Sequence, residues 1–135
     1  MTKQAGTLIA MVMALSAPTA VHACGACVED KVAATYDHSV IHASIAKHRQ
    51  VVFVAVDGTV DINKVGARIA AAASKVHGIV GGTLRTSIEP LAFSFALDGA
   101  ENSNRAVADF RKALADSGVH LTLIRIMRDG ALIEP

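Results

Sequence analysis

The chain has 135 residues, 52% of them hydrophobic and 19% charged, which allows one packed domain and excludes disorder as its overall state. Formal net charge is +1, no basic run occurs, and there is no Trp, one Tyr and four Phe. That leaves neither an electrostatic footprint nor a stacking platform for nucleic acid, so no nucleic-acid partner is expected.

Residues 1–23 read as a secretory signal peptide. Lys3 gives a short positive start, and Thr7 to Leu15 is an uncharged apolar run. Ser16 to Ala23 is dominated by small residues around Pro18, and Val21-His22-Ala23 suits a cut before Cys24. The apolar run is well short of the ~20 residues that a membrane span needs. A cysteine at +1 also raises lipidation, the one route to a membrane read here; His22 and Val21 depart from a good lipobox. Without Lys3 the exported chain balances 12 Lys+Arg against 12 Asp+Glu. A periplasmic or secreted location places the thiols in an oxidising compartment.

Cys24-Gly25-Ala26-Cys27 holds the only two cysteines and opens a helical pattern. From Val28 to about His48 there is no Gly or Pro, and Val28, Val32, Tyr36 and Val40 recur every four residues, with Ile41 and Ile45 beside them. This predicts one amphipathic helix of about five turns, making residues 24–49 a Cys-x-x-Cys segment plus a long helix. Val51 to Val56 is a continuous apolar, β-branched run that reads as a strand buried on both faces. Asp61 is the expected N-cap of a helix from Ile62 to about Val76, with Ile62, Val65, Ile69 and Ala72/Ala73 inward and Gly78 as its left-handed cap. Two strands, Thr83–Ile88 and Leu91–Leu97, join at Glu89-Pro90. A helix from about Asn102 to Ser117 follows, with Ala106, Val107, Phe110, Ala113 and Leu114 inward and Gly118 as its cap. Val119 to Ile126 is a last strand, and Arg128 and Asp129 lead into a short tail.

Over residues 50–128 the order is strand, helix, strand, strand, helix, strand. That is the α+β split βαβ, or ferredoxin-like, arrangement, with the long first helix added on a sheet edge or open face.

Residues 61–126 also resemble a heavy-metal-associated domain, through Val76-His77-Gly78-Ile79, Leu91 to Asp98 and Ala115-Asp116-Ser117-Gly118. That family carries Cys-x-x-Cys in the loop between its first strand and first helix. Here that loop, Asp57 to Asn63, has no cysteine. The resemblance implies metal transfer only if Cys24 and Cys27 take the role, and Val28 after them echoes the family's Cys-x-x-Cys-Val. The alternative order is thioredoxin-like, a Cys-x-x-Cys opening a helix, but the strand that should precede it is missing.

Cys-x-x-Cys brings two soft thiolate donors within reach of one Cu(I) or Zn(II) ion, and an α-amine freed at Cys24 would be a further donor. Thiol–disulfide exchange and a plain structural brace in a non-catalytic interaction domain are the competing uses. His38 and His42, four apart on the helix, are further candidate metal ligands. Cys-x2-Cys-x10-His-x3-His is similar to zinc-finger spacing. A continuous helix would hold His38 about 16 Å from Cys27, so four ligands would need a second molecule, a homodimer. The competing reading leaves both imidazoles solvated beside Asp37. His48, His77 and His120 read as isolated surface or strand-end residues. No Gly-x-Ser-x-Gly, Walker loop, His-Glu-x-x-His or paired carboxylates occur, so no enzyme is expected beyond a thiol oxidoreductase.

Overall fold

The computed structural model describes residues 27–135, so the expected signal peptide, its cleavage site and Cys24 lie outside the described residues. The elements in order are α1 (Val28–Thr35), α2 (His38–Ala46), β1 (Gln50–Gly58), α3 (Ile62–Ala73), β2 (Arg85–Ile88), β3 (Leu91–Leu97), α4 (Ser103–Ala113), β4 (Val119–Arg128) and β5 (Ala131–Ile133). A short 3-10 turn, Ala115–Ser117, follows α4, and Gly118 ends it at φ 70°, in the left-handed region where glycine is at ease.

The strands form one antiparallel sheet in the order β2-β3-β1-β4-β5. Its first four strands have the order of a split βαβ unit and are compatible with a ferredoxin-like fold. β1 lies at the centre, and Val51 to Val56 are all buried. Alternate residues serve two cores. Val52, Val54 and Val56 meet Val65 and Ile69 of α3, Val107 and Phe110 of α4, and Phe93 and Phe95 of β3. Val51, Phe53 and Ala55 meet Val32 of α1 and Val40 and Ile41 of α2. The first helical segment therefore covers the open face of the sheet, giving helix, sheet and helix layers.

That segment is two helices, which corrects the single long helix expected. The chain leaves helical geometry at Tyr36 (ψ 121°) and Asp37 (ψ 114°). In a continuous helix the Thr35 carbonyl would accept from Ser39 N–H. Here it accepts from the buried Ser94 hydroxyl of β3 at 2.6 Å. The Asp37 carboxylate takes over the amides, accepting Ser39 N–H at 2.9 Å and Val40 N–H at 3.1 Å, and so caps α2. Small residues on this face of β3, Ala92, Ser94 and Ala96, leave room for α1 to approach. Tyr36 and Ile45, expected inward on an unbroken stripe, are 42% and 36% exposed.

Other boundaries shift for local reasons. α3 starts at its Asp61 cap, whose carboxylate accepts Asn63 N–H at 3.0 Å. Ile62 is the first residue of that helix, one turn ahead of Val65, and is exposed rather than inward. Ala113 in α4 is likewise exposed, whereas Leu114 is buried. The expected tail forms β5, because Arg128 pairs with Ala131 across a two-residue turn at Asp129 and Gly130. Both turn residues have positive φ, 49° and 83°, as a type I′ hairpin requires. β4 carries a bulge, since Phe53 faces Arg125 but Val54 faces Leu123. The extra residue shifts the alternation: Leu121 and Leu123 before it and Ile126 after it point to the α3/α4 core, while Ile124 and Met127 point to the α1/α2 core.

If the α1/α2 layer is a true core, Phe53→Ala should cost about 3–5 kcal/mol of unfolding free energy. Urea denaturation checks this, and a loss under about 1 kcal/mol would mean that Phe53 faces a loosely covered surface.

Candidate metal centre

Cys27 is the N-cap residue of α1 and is exposed. Its backbone N–H and its thiol both face the Asp30 carboxylate, at 3.3 Å and 3.1 Å. Its carbonyl accepts Lys31 N–H at 3.1 Å. Lys31 in turn reaches Asp57 at the end of β1, with Nζ 3.3 Å from the carboxylate. One turn of helix thus separates Cys27 from a residue anchored beside the loop between β1 and α3.

His38 and His42 lie on α2, both exposed, with ring centres 4.7 Å apart and planes at 60°. The Tyr36 ring lies 6.4 Å from that of His38 between ring centres. The base of the pair is held by Asp37, which receives the Ser39 hydroxyl at 2.6 Å and Arg85 Nε at 2.7 Å. The Ser39 hydroxyl, the Arg85 guanidinium and the Val40 amide together hold the Asp37 carboxyl far below the usual carboxylate range.

The structure does not bring all these candidates together. Among the described residues no three His, Cys, Asp or Glu side chains converge to hold a metal ion, so Cys27 is not gathered with His38 and His42. The helix break removes the straight-helix argument that set those residues apart, yet the two donor sets remain separate. His48 and His77 are not isolated, which corrects the sequence reading. His48 Nδ1 is 3.8 Å from Asp129, and His77 Nδ1 is 3.0 Å from Glu101. These carboxylates are remote in sequence, and spacing carried no sign of them.

Sequence reasoning also missed a groove of about 430 Å³ beside α1, lined by Glu29, Val32, Ala33, Tyr36, Arg125 and Leu132. The β4 bulge places Arg125 there, where its guanidinium is 3.3 Å from Glu29 and 3.7 Å from Glu134. The Asp129-Gly130 dipeptide was the available signal, since a hairpin turn there brings Leu132 back along β4.

None of the described helices is long and apolar enough to cross a membrane. Comparison with protein-family models, curated proteins and solved structures returns no match for the chain.

A depressed carboxyl contributes stability that is present above its unfolded value of about 3.9 and is lost as pH falls below that toward the folded value. Acid unfolding of the protein should therefore steepen below about pH 4. Asp37→Asn, which keeps a capping oxygen but removes the charge facing Arg85, should flatten that limb. An unchanged acid limb in the variant, followed by circular dichroism, would mean that other carboxylates govern it.

Proposed function

We propose that this is a small exported metal-binding protein that holds a soft ion, Cu(I) or Zn(II), at Cys24 and Cys27, on a ferredoxin-like domain spanning residues 50–128. It is a carrier or sensor rather than an enzyme. The observation that carries this reading is the environment of Cys27. The thiol is exposed, and it donates to Asp30 at 3.1 Å. A cation held there would meet the Cys27 sulfur and the Asp30 carboxylate side by side.

The position of α1 supports the same reading. In heavy-metal-associated domains the Cys-x-x-Cys lies between the first strand and first helix. That loop has no cysteine here, but the Lys31–Asp57 ion pair draws the start of α1 to the same end of β1. The motif would then reach its usual corner of the sheet from a different part of the chain. Two thiolates suit Cu(I) or Zn(II), and an α-amine at Cys24 would add a third donor.

Titration of the reduced protein with Cu(I) against a competing chelator tests the site. The parent should hold one ion, and Cys24→Ser plus Cys27→Ser should abolish tight binding. Equal, weak binding by both forms removes the metal reading, and turnover in an insulin-reduction assay replaces it with thiol exchange.

Export is tested separately by intact mass. A secreted chain should begin at Cys24 without a lipid. A diacylglyceryl adduct would make it a membrane-anchored lipoprotein.

A further inference from the structure

We propose a second metal site on the same chain: His38 and His42 form a two-imidazole chelate for a borderline divalent cation such as Ni(II), Cu(II) or Zn(II), closed within a single molecule. It uses none of the thiols and does not rest on the reading of Cys24 and Cys27.

The geometry of the rings carries the inference. A metal about 2.0–2.1 Å from each imidazole nitrogen lies roughly 3.2 Å from each ring centre, so two rings at roughly 90–110° about one ion are separated by about 4.5–5.2 Å. The observed separation of 4.7 Å falls in that interval. The two residues are one helical turn apart on α2, so their side chains leave the helix on one face. Imidazole nitrogens suit Ni(II), Cu(II) and Zn(II), in contrast to the softer preference of two thiolates.

The surroundings fix the ligand count. Asp37 is next in sequence, but its carboxylate is already engaged by Ser39, Val40 and Arg85. The Ser39 hydroxyl is committed to that same carboxylate at 2.6 Å. Neither adds a donor, so water completes the coordination and the ion exchanges readily. Both rings are exposed, and water reaches the open positions without any movement of the chain. Asp37 and Arg85 act as positioning residues, since they fix where α2 begins and hence where His38 stands.

The closed chelate also removes the need for a second molecule. A symmetric partner was expected because one chain could not close a four-ligand site of both cysteines and both histidines. Here it supplies two, and the rest of the shell is solvent.

The experiment uses the full chain carrying Cys24→Ser and Cys27→Ser, so that thiols cannot compete. Serine is a good N-cap residue, so α1 is retained. Ni(II) is added and followed by calorimetry, by sedimentation, and by paramagnetic broadening of amide resonances. We expect one ion per chain, broadening centred on residues 38–43, and a sedimenting mass that stays monomeric. His38→Ala or His42→Ala should each weaken binding by at least about tenfold, because the second bond of a chelate forms at a high effective concentration. Both side chains are exposed, so the truncations leave no cavity. His48→Ala and His77→Ala should leave the affinity unchanged. Parent-like binding in the His42→Ala chain, or broadening centred on His48 or His77, overturns the site. A stoichiometry of one ion per two chains with a dimeric mass overturns its closure within one molecule.

Discussion

β1 has apolar side chains on both faces, and neither face can meet water. From Val51 to Val56 every residue is buried, and the alternate side chains point into two separate cores. A central strand of this kind needs a helical layer on each side. α3 and α4 supply one, in the positions that a split βαβ unit dictates. The other must come from elsewhere in the chain, and residues 28–46 supply it. The N-terminal helices are thus part of the core that the strand demands.

Covering that face requires the helical segment to bend. The bend is set by an exchange of hydrogen bonds, in which Ser94 takes the Thr35 carbonyl and Asp37 takes the amides of Ser39 and Val40. The exchange gives the Thr35 carbonyl and the Ser39 and Val40 amides new partners, which lowers the cost of the break. Arg85 then ties the same carboxylate to the start of β2. One residue, Asp37, connects helix capping, attachment to the sheet edge and placement of His38. Any chemistry at the histidine pair inherits its geometry from that carboxylate.

The two donor sets differ in kind. At the start of α1 a thiol lies against a carboxylate, beside an ion pair that anchors the helix to the end of β1. On α2 two imidazoles face each other over open solvent. Soft and borderline cations sort between such sites by ligand type rather than by raw affinity. On the proposed reading, a monovalent copper ion and a divalent ion would occupy different parts of one small molecule.

The sequence by itself determined the element types from Val51 to Ile126, because period and turn chemistry agree there. Leu91 to Leu97 forms a strand with those limits, Asp61 caps α3, and Gly118 takes the positive φ expected of it, whereas α3 ends at Ala73 with Ser74 as its cap, short of the expected cap at Gly78. It also singled out Cys27, His38 and His42, since their spacing is a local property. Three things were decided only in the folded chain. The long helix broke because its competitor for the Thr35 carbonyl, Ser94, lies 59 residues away. The β4 bulge and the pairing of β5 depend on strand register, which places Arg125 and Leu132 beside α1. Whether Cys27 and the histidines share a site depends on how α1 and α2 lie on the sheet, and spacing along a chain says nothing of a bend made by a distant side chain.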